Sequence, residues 1–264
     1  MQKDVVLIDN LFEKIKIRKI ILIYICSIIL TFAIVAIPFI NNICLKDKAF
    51  REIILNLLII IWFCIILSKE NVFIKSKIIN CIKNIDYKKI AHLYILNIGI
   101  YIGIGFCFFI GDKSSIKLPS AMYIICGITL APIVEELIFR GVILNRLKIR
   151  FSIIPAIFVS AILFGIAHFD INILGRLIFD LLCAILFFQT KNILNCIILH
   201  LLNNASIFMF PVLSKYTNLS INTNSEFKTA MLILIIFSCF VSSIVFSIIY
   251  IKNTLPDLNN YNLN

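Results

Sequence analysis

The sequence predicts an all-α, polytopic membrane protein, a bundle of about eight transmembrane helices. Composition and the spacing of apolar runs both point there. Of the 264 residues, 61% are hydrophobic and only 15% charged, against roughly 45–50% apolar and roughly 25% charged in soluble domains. Mean hydropathy is +1.03. Apolar runs recur along the whole chain, and in hydrocarbon a run of this kind satisfies its backbone N–H and C=O groups only as a helix. A soluble globular enzyme, a disordered chain and an ordinary nucleic-acid-binding domain are excluded. The net charge of +11 is assigned to membrane orientation and lipid headgroups, with no nucleic acid as partner.

Residues 1–19 read as a basic amphipathic N-terminal segment. Leu7, Ile8, Leu11, Phe12 and Ile15 share one helical face, and Lys14, Lys16, Arg18 and Lys19 crowd the end next to the membrane. That pattern suits a helix lying on the bilayer surface, with a solvated basic tail as the alternative. It is too charged for a cleavable signal peptide. The transmembrane bundle follows over 20–251. Its apolar runs fall at 20–40, 53–68, 92–110, 121–138, 153–168, 173–189, 192–210 and 229–251. The polar link 69–91 carries Ile74, Ile78, Ile79, Ile82 and Ile85 on one face and suggests a second interfacial helix. Residues 252–264 form a polar C-terminal tail. With the N-terminus inside and eight spans, 17 of the 25 Lys and Arg fall on the cytoplasmic side, which predicts N-in and C-in. The nine cysteines show no CxxC spacing and lie mostly inside apolar runs; they read as small core hydrophobes.

A charged side chain at a helix centre costs about 2.5–3.5 kcal/mol on insertion scales, so the few that occur carry information. Here they are Glu135, Glu136, Arg140, His168, Arg176, Asp180, His200, Asn203 and Asn204. Pro132 frees the carbonyl of Ile128 and disposes the helix to kink. Glu136 and Arg140 are spaced i, i+4 with the acid first, the order that favours an ion pair along a helix. Glu135 lies about 100° around the helix from Glu136 and is the freer carboxylate. The plain alternative is a structural salt bridge with a spare acid at the interface. His168 ends a run in which Ser160, Ala161, Gly165 and Ala167 allow close helix packing; alone it reads as a capping residue. His200 and Asn204 share a face one turn apart, with Asn203 as competitor, and alone they read as polar glue between helices. Together these groups are concentrated in 135–204, while the other runs are almost purely apolar. Arg176 and Asp180 are also i, i+4, which a local pair explains.

Glu135-Glu136-x-x-x-Arg140, Phe164-x-x-x-His168 and His200-x-x-x-Asn204 occur in that order. They resemble the three motifs of the CAAX protease and bacteriocin-processing (CPBP, or Abi) family of intramembrane endopeptidases, and the resemblance covers about 121–210. It implies a catalytic core there, within an eight-helix bundle around a conical cavity. It implies Glu135 as general base, His168 helping to hold the attacking water, His200 and Asn204 stabilising the oxyanion, and Glu136 and Arg140 holding the site in shape. Asn203 competes with Asn204 for the oxyanion role.

Peptide hydrolysis needs an activated water and donors aimed at the developing oxyanion, and these residue types supply both. No cofactor is favoured. Zinc is the alternative: Glu135, His168 and His200 would give three ligands and leave a position for water, although HExxH is absent. The implied partners are a membrane-associated peptide or protein substrate and the lipid bilayer. Peptide or bacteriocin maturation, or self-immunity, fits a small stand-alone member of such a family. Two other functions compete. A non-catalytic membrane immunity or binding scaffold would keep the motifs for packing alone. A small transporter would use Glu135, Arg176 and Asp180 as an ion path, but the chain lacks paired interrupted segments in matching halves.

Overall fold

The computed structural model describes residues 12, 14–69, 74–110, 118–168, 173–216 and 226–259. All secondary structure among them is helical. We label the helices α1 (Ile17–Val35), α2 (Pro38–Lys46), α3 (Ala49–Lys69), α4 (Ile74–Lys83), α5 (Tyr87–Ile110), α6 (Ala121–Phe151), α7 (Ile153–Ala167), α8 (Ile173–Thr190), α9 (Ile193–Tyr216) and α10 (Glu226–Asn259).

Among the described residues, six helices are long and apolar enough to cross a membrane, within α1, α3, α6, α8, α9 and α10. Eight were expected. The run at 153–168 forms α7, which has 15 residues and so spans only ~22 Å, short of the ~30 Å hydrocarbon core. Ser152 and His168 bound it, and Ser152 turns the chain from α6 into α7 with a φ of 75°. The run at 92–110 lies in α5, whose side chains are described only as far as Gly103. The last helix extends past its apolar run to Asn259, burying Ile251 and Leu258. Most of the basic N-terminal segment lies outside the described residues. Phe12 and Ile15 are buried, and the Ile15 carbonyl accepts from Arg146 Nε at 2.8 Å.

Helix α8 sits at the centre of the bundle. From Ile178 to Phe188 every residue but Leu181 is buried, as a helix apolar all round requires. Around it pack α5, α6, α7, α9 and α10. The close crossing of α5 and α10 depends on Gly99 and Gly103, where a Cβ would meet the Cys239 carbonyl and the Phe240 ring. Helices α1 and α3 pair with one another and lean on α6. Their outward faces are apolar and exposed, as at Phe32, Leu22 and Ile61, which is the surface a lipid-facing helix presents. Helix α4 also exposes Ile78, Ile79 and Ile82, while Asn192, at the start of α9, donates to the carbonyls of Cys81 and Asn84 and ties this region to the core.

Helix α6 is irregular where the motif lies. Ser120 caps it by accepting from the Tyr123 N–H. The regular ladder breaks at Thr129, three residues before Pro132, and Asn204 Nδ2 donates to the Gly127 carbonyl at 2.8 Å beside the break. From Leu137 to Leu144 the helix widens into π-type turns, a form found often at functional sites. Buried Asn145 closes that stretch, with Nδ2 donating to the carbonyls of Arg140 and Gly141 at 3.2 and 2.9 Å.

Candidate active site

Adjacent residues Glu135 and Glu136 face different surroundings, because a step of about 100° separates neighbours on a helix. Glu135 borders a cavity of about 470 Å³ lined by Ile20 and Tyr24 of α1, Leu55 and Ile59 of α3, Val134 and Phe139 of α6, and His168 at the end of α7. Its side chain keeps 26% exposure and that of His168 20%. Glu136 turns inward and is fully buried.

Three helices converge on Glu135. Its Oε2 lies 3.5 Å from His168 Nε2 and 3.6 Å from His200 Nε2, and makes no hydrogen bond to a described residue. Both imidazoles are held from behind. His168 Nδ1 donates to the Phe164 carbonyl at 2.8 Å, since a carbonyl only accepts. His200 Nδ1 lies 2.7 Å from Glu136 Oε1, a carboxylate already paired with Arg140, so here too the ring nitrogen donates. Each anchoring bond fixes the tautomer and directs the other nitrogen, Nε2, towards Glu135. Phe164 packs between them, its ring 4.5 Å from that of His168 and 5.9 Å from that of His200, and Phe179 covers the other side of His200 at 4.9 Å.

Behind this front lies a sealed ionic cluster. Arg140 NH1 donates to Glu136 Oε1 and Nε faces Oε2, both at 3.1 Å. Its NH2 reaches Asp180 of α8, at 2.8 Å from Oδ1 and 3.2 Å from the backbone carbonyl. The guanidinium also lies over the Phe164 ring, 5.5 Å from its centre. All three charged side chains are fully buried. The i, i+4 pair of Glu136 and Arg140 is therefore present. Asp180, expected to pair locally with Arg176, is instead bound by Arg140. Sequence spacing missed this partner because the contact runs between helices, although an acid inside so apolar a run was itself a signal.

The two asparagines take different further partners, although Asn203 Nδ2 donates to Asn204 Oδ1 at 3.4 Å. Asn204 bridges to the α6 break through Gly127. Asn203 accepts from Asn97 of α5, whose amide also reaches the Tyr101 hydroxyl, so it belongs to the polar seam between α5 and α9. His92 stacks on Tyr250, away from Glu135. Among the described residues, no group of three or more His, Cys, Asp or Glu side chains is disposed to hold a metal ion. Glu135, His168 and His200, the expected zinc set, form no such group, although both Nε2 atoms face Glu135 Oε2.

No curated protein and no solved structure matches the chain. Residues 117–206 match the family model described as Type II CAAX prenyl endopeptidase Rce1-like. The matched stretch contains Glu135, Glu136, Arg140, His168, Asp180, His200 and Asn204. It supports the broader CAAX-protease and Abi superfamily without singling out the bacteriocin-processing branch, so the part of the chain that carries the site is similar to an intramembrane hydrolase of that superfamily.

Proposed function

We propose that this protein is an intramembrane endopeptidase that hydrolyses a peptide bond of a membrane-associated peptide or protein with a water activated by Glu135. The observation that carries the reading is the convergence of one carboxylate and two Nε2 atoms, from α6, α7 and α9, at the edge of an apolar cavity. Separations of 3.5 and 3.6 Å are longer than a good direct N–H···O bond, so the carboxylate and the imidazoles can each turn to a water that enters from the cavity.

In this reading Glu135 takes a proton from the water as its oxygen attacks the scissile carbonyl carbon. His168, anchored on the Phe164 carbonyl, helps to hold that water. His200, with Nδ1–H held by Glu136, stabilises the oxyanion when Nε2 is protonated as well, and Asn204, which gives one amide hydrogen to Gly127, supplies a second donor. The tetrahedral intermediate collapses, the C–N bond breaks, and Glu135 returns its proton to the leaving amine. Glu136 and Arg140 touch no reacting atom and act as positioning residues.

The substrate is read as a peptide cut in maturation or self-immunity. The prenylated proteins named in the matching family description are the competing class. The test is reconstitution in liposomes with internally quenched peptides, with and without a prenyl group. Wild type cleaves and Glu135→Gln does not, at equal protein content. Undiminished cleavage by Glu135→Gln contradicts the mechanism, and dependence on the prenyl group transfers the substrate to the competing class.

A further inference from the structure

We infer that Asp180 is a positioning residue for the hydrolytic site: through Arg140 and Glu136 it sets the direction in which His200 presents Nε2 to Glu135. The inference rests on the hydrolase reading for its purpose, but its geometry stands independently.

The contacts form one chain across three helices. Arg140 NH2 donates to the Asp180 backbone carbonyl and forms an ion pair with Asp180 Oδ1 at 2.8 Å. The rest of the fork faces the two oxygens of Glu136. Glu136 Oε1 then receives His200 Nδ1 at 2.7 Å, and the same ring turns Nε2 to Glu135 at 3.6 Å. Glu136 and Arg140 lie on one helix, so their pair alone leaves the guanidinium free to pivot about the α6 axis. Asp180 supplies the second, external point that fixes the plane of the fork. Its neighbour Phe179 packs on the His200 ring, so one turn of α8 holds both ends of the relay.

Charge bookkeeping argues for a role beyond folding. Glu136 and Arg140 alone are formally neutral, while adding Asp180 sets two carboxylates against one guanidinium, with His200, 2.7 Å from Glu136, as the group that can carry the balancing proton. An excess charge is costly in an apolar interior, and an asparagine amide oxygen could accept from Arg140 NH2 without it. A residue kept for packing alone would do better neutral. A carboxylate attracts the guanidinium with a full charge at 2.8 Å in a low-dielectric interior, where an amide offers only a dipole, and that is what a fixed relay requires.

The chain has only three histidines, His92, His168 and His200, so ¹⁵N-histidine NMR of the full protein in lipid nanodiscs reads each ring, with His200→Gln giving the assignment. In Asp180→Asn we expect the Nδ1–H signal of His200 to move away from the position of a short bond to carboxylate and to broaden, while His92 stays unchanged and thermal stability is kept or raised. Asp180→Glu, which keeps the charge and shifts it by one methylene, returns part of the signal. On a peptide that wild type cleaves, Asp180→Asn lowers kcat on the order of 100-fold, the scale of a misplaced catalytic group, and leaves KM unchanged. Should Asp180→Asn fail to reach the membrane, a smaller displacement of the same sign is read in Asp180→Glu, and none there overturns the inference. An unchanged His200 spectrum in the folded variant overturns the inference, whether or not a substrate is known; a displaced His200 in a protein that cleaves nothing would instead count against the hydrolase reading alone.

Discussion

The two sides of α6 at Glu135 and Glu136 make an instructive pair. One side opens on the cavity, where Glu135 and His168 keep 26% and 20% exposure. The other is sealed: Glu136, Arg140 and Asp180 show none. Identical side chain chemistry, one residue apart, is thus divided between a face that can meet water and substrate and a face that cannot. The open side supplies reactivity and the closed side supplies direction, with His200 in contact with both. Substitutions on the two sides should therefore fail differently.

The largest expected effect on the open side is that of Glu135→Gln. Loss of a general base lowers turnover by about 10²–10⁴-fold, while the helical circular dichroism and thermal midpoint stay near those of wild type. A parallel fall in stability would erase the distinction between the sides. On the closed side, Arg140→Ala leaves two buried carboxylates without their cation and should cost about 3–5 kcal/mol of stability, read as loss of folded protein in thermal and detergent unfolding. A stable Arg140→Ala protein that is merely inactive would mean that the cluster is not a fold-critical element. Smaller effects sharpen the boundary between α6 and α9. In Gly127→Ala the new Cβ would meet the Phe208 ring at 2.7 Å, and overpacking of this kind costs about 1–3 kcal/mol; Gly165→Ala, with Leu177 at 3.4 Å, serves as the mild control in the same unfolding assay. Asn204→Ala removes the bond to Gly127, worth about 0.5–1.5 kcal/mol, and should lower kcat by more than that loss alone explains. Equal losses in rate and stability would reduce Asn204 to helix glue.

The front of this site is legible in the sequence because its geometry is helical. Glu135 and Glu136 differ by one step, Glu136 and Arg140 by one turn, His200 and Asn204 by one turn, and those intervals decide which groups share a face. That Glu135 would meet two imidazoles is not contained in any interval; it came from the order of three motifs and from the cost of polar groups in an apolar chain. Asp180 escaped for the same reason. Its nearest sequence partner was Arg176, and the contact with Arg140 exists only once α8 packs against α6. Among the described residues six of the eight expected crossings are found; α7 is not one of them, because hydropathy marks where apolar runs lie but not where Ser152 stops a helix after α6 or how short α7 then becomes. The π-type stretch and its closure by Asn145 left no periodic trace, since the residues of that stretch other than Arg140 and Gly141 are apolar whichever ladder they adopt.

The most direct measurement of the central claim is a mass-spectrometric comparison of membrane peptides from cells that carry the wild-type protein and cells that carry Glu135→Gln, at matched abundance in the membrane. The account predicts one or more cleavage products present with wild type and missing with Glu135→Gln, with the intact precursor accumulating in their place. Identical peptide profiles in the two, in cells where the protein's presence alters the profile, would contradict it.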